Sequence, residues 1–178
     1  MLAQHAEALR RPVHQGPFAD PVVQRMADFL RGIGLQVRRG ALDDTCFLPG
    51  LALIGGALVV DESRLKHPGD LLHEAGHLAM LTAADRSRVD GTLAADGGEE
   101  LGAIAWSYAA ALHLALDPAV LFHPDGYRDG AAALLENFAE GRYLGVPYLQ
   151  WLGLTLEPRQ ALAQGCPPYP HMLRWLRD

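Results

Sequence analysis

The sequence has little of several features that would assign a protein to a class directly. Its 178 residues include only two cysteines, Cys46 and Cys166, which form no CxxC pair and predict a reduced, cytoplasmic protein. Lys and Arg are also scarce, 15 against 21 Asp and Glu, so we expect no nucleic-acid partner. No apolar run approaches the roughly 18 residues of a membrane span, and the N-terminus lacks an unbroken signal-peptide core, so no membrane association is expected.

What the sequence does contain is enough apolar material, 49% of its residues, for one well-packed domain. Asp20-Pro21 predicts a helix start, and Gly55-Gly56 predicts a tight turn between two strands. After this hairpin, apolar residues recur mainly at helical spacing. We predict an α+β fold, a small antiparallel sheet followed by a mainly helical remainder. The single domain would have its core at 20–145 and a C-terminal helical extension at 146–178, whose closing segment, 165–178, could pack over the domain or form a homodimer contact.

The most informative stretch is His73-Glu74-Ala75-Gly76-His77, in a segment that Asp70 is predicted to cap as a helix. Four helical residues turn through about 400°, so His73 and His77 would point in nearly the same direction, about 6 Å apart along the axis. Two imidazoles in this arrangement can hold one metal ion. Glu74, rotated by about 100° from His73, would lie beside the metal, where a carboxylate can accept a proton from metal-bound water.

Two other interpretations of this stretch are open to test. The first is a pair of partly buried histidines with ordinary hydrogen bonds and no metal. The second uses Glu74 and His77 as an ExxH pair of a four-helix di-iron protein, but the sequence contains no second ExxH. Gly76 favours a site that another backbone or a ligand approaches closely, because a glycine inside a helix costs about 1 kcal/mol relative to alanine.

A catalytic zinc ion needs a third protein ligand and an open position. Glu99 and Glu100, 22 and 23 residues after His77, begin a second predicted helix that is rich in Gly and Ala. A helix with such a small surface could press against the His-containing helix and bring a carboxylate to the metal. Acidic residues in a first helical turn also offset the helix dipole, so we expect one of the two glutamates to have only that role.

Together, the HExxH motif and the downstream EELGAIAWSYAAA helix carry a resemblance to a known family. They are similar to the gluzincin group of zinc metallopeptidases, and in particular to the minimal zincin domain of the ImmA/IrrE type. The resemblance covers about residues 52–116, including the hairpin before the motif. It implies a zincin-like motif helix packed on a second long helix.

The site that this resemblance implies is a Zn²⁺ ion held by His73, His77 and a downstream glutamate, with Glu74 as general base. Glu100 is chosen because its spacing to the aromatic Trp106 matches the family better than the spacing from Glu99.

The function expected from the sequence is therefore that of a zinc-dependent, metallopeptidase-like hydrolase. Metal-bound water activated by Glu74 would attack a carbonyl of a peptide or protein substrate. A binding or regulatory module that keeps the zincin fold without catalysis is the alternative. A donor for the developing oxyanion would come from five candidates that the sequence does not rank well: His113, His123, Tyr108, Tyr127 and Tyr143.

Overall fold

The computed structural model describes residues 16–44, 46–93, 96–123, 126 and 130–178. Its strands come early in the chain: β1 (Gln36–Arg39), β2 (Leu51–Ile54) and β3 (Ala57–Val60). Its helices are α1 (Pro21–Gly32), α2 (Asp70–Met80), α3 (Ala83–Arg86), α4 (Gly97–His113), α5 (Ala131–Ala139), α6 (Val146–Trp151) and α7 (Pro158–Gln164), with a 3₁₀ turn at Pro118–Val120. The predicted α+β class is thus confirmed.

The sheet is mixed, and not wholly antiparallel as the sequence predicts. Its order is β1-β3-β2, with β3 in the centre and all four β3 residues buried. β2 pairs antiparallel with β3, whereas β1 runs parallel to β3, with Gln36 opposite Ala57. The parallel pairing follows from the connection between β1 and β2, residues 40–50. This connection places β2 on the far edge of the sheet, so β3 can lie beside β1.

The turn between β2 and β3 forms where the sequence predicts it. Gly55 and Gly56 have φ values of 55° and 74°. Positive φ at both central residues is the requirement of a two-residue hairpin with a type I′ turn, and glycine meets it without steric cost. The hairpin makes β3 the last strand before α2, and α2 then packs against the sheet through buried residues such as Leu71 and Leu72.

Helix α2 begins one residue before the predicted start, and the prediction that Asp70 caps it is wrong. Gly69 is the N-cap residue and Asp70 lies in the first turn. A β-carbon at position 69 would lie 2.1 Å from the carbonyl oxygen of Val120, so the approach of that backbone leaves room only for glycine. The Asp70 carboxylate is instead paired with His123, whose Nε2 lies 2.8 Å from Oδ1.

The two long central helices, α2 and α4, are in direct backbone contact. A β-carbon at position 76 would lie 2.9 Å from the carbonyl oxygen of Ala103 and 3.1 Å from its Cα. A β-carbon at Gly102, on α4, would instead meet side chains, the Met80 sulfur at 2.7 Å and the Tyr148 ring at 2.8 Å. The prediction that Gly76 marks a close approach is confirmed, with another backbone as the approaching group.

The segment after α7 is not helical, which corrects the predicted helical extension over residues 146–178. Within residues 146–178, helical structure is limited to α6 and α7, and the segment after α7 has none. Its backbone amides donate to other parts of the chain instead: Leu173 N to Leu154 O at 2.9 Å and Arg177 N to Ala79 O at 2.8 Å. Trp106 Nε1 also donates to the carbonyl of Trp175 at 2.9 Å. These bonds hold residues 165–178 across α2 and α4, so the segment packs over the domain, and a homodimer contact stays a prediction.

Among the helices of the described part of the chain, none is long and apolar enough to cross a bilayer.

We expect Gly76→Ala to destabilise the protein by about 1–3 kcal/mol, the typical cost of overpacking, even though alanine is the better helix former by about 1 kcal/mol. Urea unfolding measures this change. Gly32→Ala is the matched control, because nothing lies within 4 Å of a β-carbon at that helical position. It should be neutral or slightly stabilising. Equal stability of the two variants would contradict the tight contact between α2 and α4.

Candidate metal centre

The two histidines of the motif face each other across one turn of α2. The Nε2 atoms of His73 and His77 lie 3.1 Å apart, and the two rings are nearly perpendicular, at 84°. His77 is buried, at 7% exposure, and the His73 side chain is largely covered. The four-residue spacing therefore places both imidazoles on one side of the helix, as the sequence predicts.

Glu100 reaches both imidazoles from the first turn of α4. Its Oε1 lies 3.2 Å from His73 Nε2, and its Oε2 lies 3.3 Å from His77 Nε2. The close contact of α2 and α4 at Gly76 brings this turn within reach. The carboxylate and the two imidazole nitrogens thus form a compact triangle of possible ligand atoms.

Glu99, the other candidate, is occupied at the start of α4. Its Oε2 accepts a hydrogen bond from the backbone N of Asp96 at 3.1 Å, while Asp96 Oδ1 accepts from Gly98 N and Glu99 N. These reciprocal bonds form a capping box. One glutamate therefore stabilises the helix terminus and the other points at the histidines. Glu100 as a metal ligand stays a prediction.

The triangle fits a metal ion better than it fits hydrogen bonds alone. A neutral imidazole nitrogen either donates or accepts, and a carboxylate only accepts. If both Nε2 atoms donate to Glu100, two donors face each other at 3.1 Å. If one lacks its proton, its lone pair faces a carboxylate oxygen. A central cation removes this conflict, and tetrahedral bonds of about 2.0–2.2 Å would separate the ligand atoms by about 3.3–3.6 Å, near the distances found here.

Glu74 adds a second carboxylate beside the two imidazoles. One ligand atom of each of His73, Glu74 and His77 lies within 4.8 Å of the others. Burial raises the pKa of the Glu74 carboxyl, and the two histidines only partly offset that effect. Hydrogen bonds from His73 and then His77 instead hold the pKa of Glu100 well below its usual range. The two carboxylates thus differ in their affinity for a proton.

The protonation of His73 is set by opposing effects. Burial is the largest and lowers its pKa, but the hydrogen bond and charge of Glu100, with the charges of Glu74 and Asp70, together raise the pKa above its ordinary value. A proton and a metal ion compete for the same nitrogen.

A small cleft of about 130 Å³ adjoins His77. Its other lining residues come from the end of α2, the loop after α3, the start of α4, α6 and the C-terminal segment: Met80, Leu81, Leu93, Glu99, Tyr148 and Arg177. Sequence reasoning missed Tyr148 and Arg177, which lie more than 70 residues after His77 and carry no motif. Only the packing of α6 and the C-terminal segment onto α2 and α4 identifies them.

The four predicted oxyanion donors that the structure describes do not line this cleft. His123 pairs with Asp70 and stacks on His67 at 3.6 Å between ring centroids. Tyr108 and Tyr143 belong to an aromatic cluster around Phe138, His113 contacts Phe29 and Trp175, and Tyr127 lies outside the described residues. Tyr148 does line the cleft. The pKa of its hydroxyl is raised, first by burial, so the hydroxyl keeps the proton that it needs to donate a hydrogen bond.

Comparison of the chain with protein-family models, with curated proteins and with solved structures finds no match. The geometry of the site is therefore the basis on which a function can be assigned.

We expect Glu100→Gln to lower zinc affinity at least about tenfold, because even outer-shell partners of metal ligands typically contribute 10- to 100-fold. Competition with a chromogenic chelator measures the affinity. Glu99→Gln, one residue away, is the matched control. It should weaken the capping box, costing roughly 0.5–1 kcal/mol in urea unfolding, and leave zinc affinity unchanged. The reverse pattern would assign the ligand to Glu99.

In the metal-free protein we expect His73 to titrate above the ordinary histidine value of about 6.5. Its folded-state pKa is raised, so its ion pair stabilises the fold at low pH, and this contribution disappears as pH rises through that pKa. Glu100→Gln should lower the pKa of His73, while Glu136→Gln, at an exposed position of α5, should not. NMR titration of the imidazole carbons measures both. A pKa at or below 6.5 in the unsubstituted protein would contradict the expectation.

Proposed function

We propose that the protein is a zinc-dependent, metallopeptidase-like hydrolase. The observation that carries this proposal is the convergence of His73 Nε2, His77 Nε2 and the Glu100 carboxylate within 3.3 Å of one another, beside a mostly buried Glu74. Two imidazoles and one carboxylate are a common ligand set of catalytic zinc, and three protein ligands leave a position for water or substrate.

Each residue of the site has a distinct role in the proposed reaction. His73, His77 and Glu100 would hold zinc, which lowers the pKa of water and polarises a carbonyl when it is bound. Glu74 would accept a proton from the attacking water and pass it to the leaving amine. Its raised pKa, caused first by burial, suits this exchange because a general base works best when its pKa is near the working pH.

Tyr148, which also lines the cleft, would support the same reaction. Its hydroxyl lies 3.5 Å from Glu99 Oε1, and its ring lines the space next to His77. A phenol that keeps its proton can donate to the oxygen on which negative charge develops during attack on a carbonyl. We therefore place Tyr148 ahead of the five donors proposed from the sequence.

The proposed substrate is a peptide or protein in the cytoplasm. Both cysteines, Cys46 and Cys166, are free thiols, which supports a reducing compartment. The alternative, a binding module without catalysis, is favoured by the small volume of the cleft, about 130 Å³, which accommodates one side chain rather than a long peptide.

Glu74→Gln tests the proposal directly. The variant should keep about one zinc per chain and lose hydrolysis of a broad peptide library by roughly 10²- to 10⁴-fold, the usual contribution of a general base. Metal analysis and mass-spectrometric detection of cleavage measure the two effects. Glu136→Gln, remote from the site, should change neither.

Two outcomes would overturn the proposal in different ways. Zinc without any Glu74-dependent cleavage would favour the binding module. A protein that binds no zinc, with its imidazole nitrogens bonded only to Glu100, would exclude both metal interpretations.

A further inference from the structure

The cleft next to His77 is lined by one cation, Arg177, together with Glu99, Tyr148 and three apolar side chains. Met80 and Leu81 lie at the end of α2, Leu93 belongs to the loop after α3, and Arg177 belongs to the C-terminal segment. Because the cleft adjoins a histidine of the candidate metal centre, a group bound there would lie next to the bond that the proposed reaction breaks.

The backbone of Arg177 is fixed on both sides. Its N–H donates to Ala79 O at 2.8 Å, and its carbonyl accepts from the Arg86 guanidinium at 3.0 Å. Arg86 also donates to Leu78 O and Leu81 O, each at 3.0 Å. Arg86 therefore ties the C-terminal segment to the end of α2, so that the Arg177 side chain is presented from a rigid support.

Most of the hydrogen-bonding capacity of the Arg177 side chain is unused within the described residues. A guanidinium has five N–H donors, and the recorded side-chain bond is a long one, 3.4 Å from Nη1 to Met80 O. No carboxylate in the described part of the chain forms an ion pair with it. Glu99, which also lines the cleft, accepts hydrogen bonds from Asp96 N and from the hydroxyl of Tyr148.

These groups favour a carboxylate as the occupant of the cleft. Arginine binds a carboxylate through two parallel N–H···O bonds, which are stronger than bonds between neutral groups. The side chains of Met80, Leu81 and Leu93 can cover a short methylene stem. An amine in the same place would meet the charge of Arg177, and the Glu99 carboxylate that could pair with it already accepts bonds from Asp96 N and the Tyr148 hydroxyl.

We propose that the cleft is a specificity subsite in which Arg177 binds a carboxylate of the substrate, either an acidic side chain or a free C-terminus. The role in peptide selection rests on the proposed hydrolase function, whereas the binding itself does not.

A matched set of small probes tests the binding in the full chain, both zinc-loaded and chelator-treated. N-acetyl-glutamate α-amide has only the side-chain carboxylate, N-acetyl-glutamine has only the C-terminal carboxylate, and N-acetyl-glutamine amide has neither. NMR of the Arg177 Nε–H group and of the Leu81 and Leu93 methyls reports occupancy. We expect one or both carboxylates to bind at least about tenfold more tightly than the amide, as hydrogen bonds to charged groups allow. Which one binds identifies the source.

Variants separate the charge of Arg177 from its structural role. Arg177→Gln should lose the preference for carboxylates, Arg177→Lys should keep part of it, and Arg177→Glu should prefer N-acetyl-lysine amide. Arg159→Gln, at an exposed position of α7, is the control and should bind as the unsubstituted protein does. Unchanged thermal unfolding would show that the backbone contacts at Ala79 and Arg86 persist.

Two results would overturn the subsite. One is equal binding of amide and carboxylate probes, and the other is an unchanged carboxylate affinity in Arg177→Gln. Neither depends on hydrolysis, because the probes contain no bond to be cleaved between residues. If zinc or Glu74-dependent cleavage is lacking but carboxylates bind at Arg177, then the proposed function fails and the subsite stands.

Discussion

The contact between α2 and α4 at Gly76 is the constraint on which the candidate site depends. It lets the carbonyl of Ala103 approach to a distance that no side chain at position 76 would permit. The first turn of α4 then lies beside the face of α2 that carries His73 and His77. A wider helix separation, such as the usual 8–10 Å between axes with larger side chains at the contact, would move Glu100 away from the imidazoles. Gly76 therefore affects where Glu100 lies relative to the imidazoles, although the glycine contributes no functional group.

The two carboxylates of the site differ because their surroundings differ. The Glu100 carboxylate accepts hydrogen bonds from two imidazole nitrogens, and its side chain is 45% exposed. Its charged form is therefore favoured. Glu74 lies on the more buried side, where charge is disfavoured. Opposite pKa shifts in neighbouring acids are a common way for one site to contain both an anion that stays charged and a group that exchanges protons. This division matches the roles proposed for Glu100 as ligand and Glu74 as base.

The C-terminal segment forms part of the lining of the cleft next to His77. It crosses α2 and α4 without forming a helix, held by hydrogen bonds at Ala79, Trp106 and Leu154. Tyr169, from the same segment, is buried and donates to Ala105 O at 2.9 Å. A region that adds no motif to the sequence thereby supplies one wall of the cleft and its positive charge.

Several features could be predicted because they depend on residues close together in the chain. The turn at Gly55-Gly56, the start of α1 at Asp20-Pro21 and the shared face of His73 and His77 follow from backbone preferences and from the helical repeat. The small residue at position 76 correctly indicated a close approach. The resemblance also favoured Glu100 over Glu99, and the structure places Glu100 against the imidazoles.

Other features were decided only by tertiary packing. The parallel pairing of β1 with β3 depends on which strand edge is free once the hairpin has formed. Gly69 replaces Asp70 as the cap of α2 because the backbone of Val120 fills that space. The C-terminal segment leaves the helical conformation because its amides find partners on distant elements, and Arg177 reaches the cleft for the same reason. The sequence by itself determined the local geometry of the motif. The fold decided what surrounds it, since contacts between residues far apart in the chain depend on packing that no local pattern encodes.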